Sequence, residues 1–228
     1  MKTDGGSDAA KRRAGERAAE DVEDGFVVGL GTGSTTAHAI RAIGEAVAEG
    51  LEVTGVPTSY QSRQLAIEAG IPLTTLEEVD GIDLAIDGAD QVAAGDLIKG
   101  GGAAHAREKF VDAAADRFLV VADPSKLVDV LDRSVPVEVL PDARPVVADR
   151  VRDLGGEPDL RVAERKDGPV VTDNGNLVLD CAFGKIDDPA SLARDLASIP
   201  GVVEHGLFVG MADVTYVGLE AGVDVHEH

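Results

Sequence analysis

Short apolar segments separated by helix-length stretches fill the first half of the chain, and that rhythm leaves few folds open. Phe26–Leu30, Leu51–Val56, Ile82–Ile86 and Phe118–Ala122 each read as a strand. Helices are predicted from a cap at Ser7 or Asp8 through Val22, from a Gly-rich turn to about Ala48, through Ala69, and over about Ala103–Ala115. Strands alternating with helices predict an α/β fold with a parallel, doubly wound sheet. Composition agrees where it can discriminate. The apolar share is 44% but aromatics are only 3%, so Val, Leu, Ile and Ala must fill the core, as in a sheet covered on both faces. A chain of 228 residues suits one such domain, or one with a smaller appendage.

After Lys126 the rhythm changes. Strand-like Val135–Leu140, helical Ala143–Leu154, strand-like Leu160–Ala163, the closing part of a hairpin over Val170–Leu179, helical Pro189–Ser198 and strand-like Val202–Phe208 follow in turn. Strand-helix-strand-strand-helix-strand is the ferredoxin-like order. It divides the chain into a first domain of 1–131 plus 207–228 and an inserted α+β domain of 132–206. The final piece, Ala212–Leu219, then returns to the first sheet.

The charge is lopsided, with 42 acidic against 21 basic residues and a net −21. That sign repels nucleic acid and anionic lipid, so neither is expected as a partner. Diffuse acidity with only seven lysines reads as adaptation to high salt; an ordinary acidic protein is the alternative. No apolar run reaches membrane-spanning length, and the charged N-terminus lacks a signal-peptide core, so a cytoplasmic location is expected. A single cysteine, Cys181, excludes an intrachain disulfide and makes a cysteine-rich metal site implausible.

Three Gly-rich or acidic turns could carry chemistry. In Gly31-Thr32-Gly33-Ser34-Thr35 a strand hands over to a helix, where free N–H groups and hydroxyls suit a phosphate. Ser34 replaces the last glycine of a dinucleotide fingerprint, and the Gly-Lys-Ser/Thr ending of a nucleotide loop is missing. Asp87-Gly88-Ala89-Asp90 follows directly on a strand, where open sheets bind ligands, although Asp-Gly is also an ordinary turn. Lys99-Gly100-Gly101-Gly102 precedes a helix, and a glycine nest beside a lysine can face an oxyanion. Glu108 on that helix is read either as a solvated charge or as a base. His105 is read as a surface or partly buried side chain. Lys126 lies just past a strand end as a second cation. Asn174-Gly175 reads as a hairpin turn, and His226-Glu227-His228 as a frayed terminus.

Taken together, these motifs resemble the ribose-5-phosphate isomerase family of type A. The ordered set also includes Asp123-Pro124-Ser125-Lys126, Pro136-Val137-Glu138-Val139 and Ile199-Pro200-Gly201, and it runs from about residue 9 to 222. The resemblance implies a Rossmann-like domain with a ferredoxin-like insert, a homodimer or homotetramer, a sugar-phosphate substrate, and catalysis without cofactor or metal. It implies Glu108 as the proton acceptor, with Asp87, Asp90 and Lys99 assisting. Thr32, Gly33, Ser34, Thr35, Asp87, Gly88, Ala89, Asp90, Lys99, Gly100, Gly101, Gly102 and Lys126 are the implied substrate contacts. Lys11 aligns less securely with a phosphate-holding lysine. Gln91 departs from an acid common in the family, and His105 from a smaller or apolar residue. A sugar-phosphate sensor would bring a DNA-binding module and a basic face, an acyl-CoA transferase a longer chain, and an oxidoreductase the missing glycine.

Overall fold

The computed structural model describes residues 6–228, so the beginning of the N-terminal stretch lies outside them. In chain order the elements are α1 (Asp8–Ala19), β1 (Val27–Leu30), α2 (Thr36–Ala48), β2 (Thr54–Pro57), α3 (Tyr60–Glu68), β3 (Ile82–Gly88), β4 (Gln91–Ala93) and β5 (Asp96–Ile98). Next come α4 (His105–Ala113), β6 (Ala115–Ala122), β7 (Val135–Val139), α5 (Arg144–Asp153), β8 (Glu157–Leu160) and β9 (Leu177–Ala182). The chain ends with α6 (Pro189–Ala197), β10 (Val202–His205), β11 (Leu207–Phe208), β12 (Val214–Gly218) and β13 (Val223–Glu227).

Two compact units result: 6–89 with 107–127 and 210–228, and 90–106 with 128–209. Residues 90–106, assigned by the sequence to the first domain, group with the smaller unit.

The larger unit holds a six-stranded sheet in the order β13-β12-β6-β3-β1-β2, parallel except for β13. Aliphatic strands fit it because both faces are covered. Val28 and Leu30 of β1 and Leu84 and Ile86 of β3 pack with Ile40 and Ile43 of α2. A separate cluster joins Val111 of α4 to Val56 and Ile82. The chain goes from β1 outward to β2, then crosses back to β3 and continues outward on the other side. Strand order therefore reverses between β1 and β3. The loops leaving their carboxyl ends diverge there, which opens a crevice.

In the smaller unit the antiparallel order β10-β7-β9-β8 is the ferredoxin-like one, with Val147, Val151 and Leu196 of its helices on Val137, Val139 and Leu179. Strand boundaries differ from the expected ones. The paired edge strand is Glu157–Leu160, polar and carrying Pro158, and the more apolar Leu160–Ala163 mostly follows it. A proline without an N–H is tolerated at such an edge. β9 begins at Leu177, after the Asn174–Gly175 turn. The expected strand Val202–Phe208 divides at Gly206 into β10 and β11.

Two elements were not anticipated. β4 and β5 form a hairpin that adds to β11 as a three-stranded sheet. The terminal His226 and Glu227 are not frayed but lie in β13, and His228 N–H donates to the Asp213 carbonyl at 3.0 Å.

Candidate active site

At the switch point of the larger unit, β1 runs into the turn Gly31–Thr35 and β3 ends at Asp87 and Gly88. A side chain at Gly31 would lie 2.2 Å from the Asp87 carboxyl carbon, so only glycine lets the turn come this close. Asp87 is fully buried. Its Oδ1 accepts the N–H of Thr32 at 3.0 Å and that of Gly88 at 2.6 Å. The Thr32 hydroxyl donates to Ser59 Oγ at 2.7 Å and lies 2.8 Å from Thr58 Oγ1. Thr32 thus fastens the turn to the loop after β2, and buried Thr58 and Ser59 are functional neighbours that the sequence reading missed. Gly33, Ser34 and Thr35 lead into α2, and their N–H groups bond to no described residue. Backbone donors at a helix start are an anion site.

β6 neighbours β3, and its carboxyl end leads to the single turn Pro124–Lys126. Asp123 caps that turn, its Oδ1 accepting from Ser125 N at 2.9 Å and from the Ser125 hydroxyl. Lys126 is buried there rather than extended into solvent. Glu108 occupies the first turn of α4 and is only 4% exposed, which removes the solvated reading. Asp112, 3% exposed, stands four residues on, hence on the same helix face. The spacing was there to be seen, but nothing in it distinguishes a buried pair from a solvated one.

The smaller unit organises the other candidates. The antiparallel β4–β5 hairpin brings the residue before it, Asp90, next to those after it. Asp90 N–H donates to the Ile98 carbonyl at 2.7 Å, and Gly101 N–H donates to Asp90 Oδ2 at 2.7 Å. The Gly101 amide is therefore engaged by Asp90, a correction to the reading of all three glycines as oxyanion donors. Lys99 is buried; its N–H donates to the Gly206 carbonyl, and its ammonium lies 5.3 Å from the Phe208 ring centroid. A desolvated ammonium over an aromatic face is electrostatically favoured. His105 is fully buried, and a side chain at Gly100 would lie 2.7 Å from its Nδ1, so the surface reading of His105 is corrected. Gln91 donates to Asp132 Oδ1 at 2.6 Å while its Oε1 accepts the N–H groups of Asp132 and Arg133. A carboxylate there could accept those bonds but not donate the first.

Thr32, Asp87 and Gly88 are thus brought together in one unit, and Asp90, Lys99, Gly100 and Gly101 in the other. Ala89 is half-buried after β3, Gly102 is exposed ahead of α4, and Lys11 is half-buried on α1. Cys181 is no nucleophile. Burial, and then the Asp180 charge, push its thiol up to about 12, so it stays protonated. Among the described residues no group of three or more His, Cys, Asp or Glu side chains could hold a metal ion, and no helix is long and apolar enough to cross a membrane.

Known proteins resemble this chain over nearly all of its length. The most similar relatives include a ribose-5-phosphate isomerase A from Natronomonas pharaonis, 72% identical over 99% of this chain and 100% of its own. The ribose 5-phosphate isomerase A structure from Methanocaldococcus jannaschii superposes with a TM-score of 0.92 at 45% identity, covering 96% of this chain and 98% of that one. A D-ribose-5-phosphate isomerase in complex with phospho-erythronic acid gives 0.95 at 44% identity over 98% and 100%. Residues 54–222 match the family profile described as ribose 5-phosphate isomerase A (phosphoriboisomerase A). With its order of motifs, its switch-point turn against Asp87 and its ferredoxin-like unit, this chain belongs to the ribose 5-phosphate isomerase A family.

Proposed function

We propose that the protein interconverts D-ribose 5-phosphate and D-ribulose 5-phosphate through an enediolate. The observation that carries this is the Gly31–Thr35 turn held against buried Asp87 at the switch point, in a chain of this family. An aldose–ketose shift needs one base to lift the C2 proton and return it to C1, and Glu108 takes that role. Negative charge then develops on O1 and O2. Lys99 and the Gly102 N–H supply the balancing dipole and charge, since the Gly101 N–H already serves Asp90. Asp87 and Asp90 exchange hydroxyl protons, including the one moved on opening the furanose ring. The N–H groups of Gly33, Ser34 and Thr35 grip the phosphate, and this remote binding energy holds the reacting carbons in register. Lys126 adds a cation to the substrate contacts. The ligand of one solved relative supports the scheme. Phospho-erythronic acid pairs a phosphate with a planar carboxylate, the shape and charge of an enediolate.

No cofactor or metal enters this chemistry. The enzyme works in the cytoplasm as a homodimer or homotetramer, with neither nucleic acid nor membrane as a partner. Incubation with ribose 5-phosphate tests the activity. Ketose must accumulate to an equilibrium that is also reached from ribulose 5-phosphate, and it must do so after exhaustive chelation. No ketose from freshly folded protein rules the reading out. Light scattering on the same sample tests the assembly.

A further inference from the structure

We infer that Arg161 is a positioning residue for the isomerisation, acting through the peptide planes of the triple-glycine loop; the inference rests on the isomerase reading above. Arg161 follows β8 directly, and its backbone is pinned on both sides. Its N–H donates to the Val178 carbonyl at 3.0 Å, and its carbonyl accepts from Val170 N–H at 2.8 Å. The side chain, 10% exposed, forks onto Asp180 of β9, Nε to Oδ2 at 2.8 Å and Nη2 to Oδ1. This leaves Nη1 aimed at the glycine loop, where it donates to the Gly100 carbonyl at 2.8 Å and reaches the Gly101 carbonyl at 3.4 Å.

The consequence follows from peptide planarity. In a trans peptide the C=O of one residue and the N–H of the next point in opposite directions. The peptide joining Gly100 to Gly101 is therefore held at both ends, its oxygen by Arg161 and by the Ala103 N–H at 3.0 Å, and its nitrogen by Asp90 Oδ2. The next peptide has its oxygen drawn to the same guanidinium, so the Gly102 N–H is turned away from Arg161. The guanidinium thus bears on the direction of the Gly102 N–H and, through the Gly101 N–H, on the carboxylate of Asp90. Three glycines in a row restrain these torsions little, and the turn bond from Ala103 N–H holds only the Gly100 carbonyl, so the Gly101 carbonyl is left to the guanidinium. Lysine cannot replace it, because only a planar fork serves a carboxylate bidentately while a further N–H reaches the carbonyls.

Arg161, Asp180, Asp90 and Gly101 also line a cavity of about 450 Å³ in this unit, together with Asp132 and Arg133. A guanidinium ion can enter such a space, which makes the test specific. Arg161→Ala should lower kcat by about a hundredfold, the scale of a misplaced catalytic group, with KM changed less than about threefold because the phosphate grip is remote. Guanidinium chloride at tens of millimolar should restore kcat severalfold in this variant and leave the parent enzyme unchanged, whereas sodium chloride of equal ionic strength should do neither. Arg161→Lys should stay impaired. Should Arg161→Ala fail to fold, Asp180→Asn carries the test and must lower kcat severalfold at an unchanged melting temperature. A folded Arg161→Ala with kcat within twofold of the parent overturns the inference, as does a loss of kcat that guanidinium does not repair. An inactive parent enzyme, by contrast, overturns the isomerase reading and not the clamp.

Discussion

Gly31→Ala is the smallest change that tests whether the turn and Asp87 form one device. The added methyl would lie 2.2 Å from both the carboxyl carbon and Oδ1 of Asp87, against the 3.4 Å or more of ordinary contact. Something must therefore yield by more than an ångström. The Asp87 backbone cannot retreat easily, since it sits in β3 with Val120 of β6 opposite, and its Oδ1 is held by the N–H groups of Thr32 and Gly88. The turn moves instead, or Asp87 abandons its rotamer. Forcing a methyl into such packing costs about 1–3 kcal/mol, and a chain of this size loses about 2–4 °C of melting temperature for each of those. A displacement of about an ångström at a reacting group costs about a hundredfold in rate. Coupled measurement of ketose formation and a thermal melt reads both effects. Gly81→Ala is the control, because nothing lies within 4 Å of its added methyl. If Gly31→Ala melts and turns over like the parent, the close approach carries no function and the argument fails.

Glu108→Gln keeps shape but not basicity and should lower kcat by about a hundredfold to ten-thousandfold with little change in KM, while Glu78→Gln, outside every motif, should be neutral. Lys99→Met should raise KM and lower kcat together. Burial pushes the Asp21 carboxyl up, but hydrogen bonds from Tyr216 and Arg17 and the Arg17 and Arg117 charges outweigh it, so its folded pKa lies below the ordinary value. The stability it contributes is present above about pH 4 and lost as pH falls through that lowered value. Tyr216→Phe should therefore destabilise by about 1.5–3 kcal/mol at neutral pH, with the gap closing in acid; a gap independent of pH refutes this. Ala94→Asn should raise the melting temperature, because Ala94 holds φ +47° at an exposed turn where asparagine is at ease; no rise refutes the strain. Melting temperature and activity should both climb as monovalent salt approaches molar levels, given the net −21, and a maximum in dilute buffer refutes the saline reading.

What could be read from the sequence, and what could not, divides by distance along the chain. Five strands of the large sheet were legible because each announces itself in a short apolar run, while β13 read as a frayed terminus, and the ferredoxin-like unit was legible because its order of elements is local. The β4–β5 hairpin escaped because Ala94, not asparagine, precedes Gly95 although both have positive φ. Without it Asp90 and Lys99 look like two separate motifs. β8 was expected three residues late, at Leu160–Ala163, because an edge strand needs little apolarity and Glu157-Pro158-Asp159 reads as loop. Thr172, Asn174 and Asn176 read as turn chemistry, yet all three donate to Oε1 of buried Glu138 on β7.

Arg161 is the limiting case, since its partners Asp180 and Gly100 lie 19 and 61 residues away. Residues that touch a substrate gather at strand ends and in glycine turns, where local spacing betrays them. Residues that aim those groups can come from anywhere the fold delivers a side chain, and a lone arginine between Leu160 and Val162 has no local reason to be noticed. A planar fork held by one carboxylate and turned onto two glycine carbonyls has that reason only in three dimensions. The glycine loop carries one turn bond of its own, from Ala103 N–H to the Gly100 carbonyl, which leaves the Gly101 carbonyl to an outside partner. A run of glycines therefore predicts a clamp before the clamp can be named, and only the fold says which residue it is.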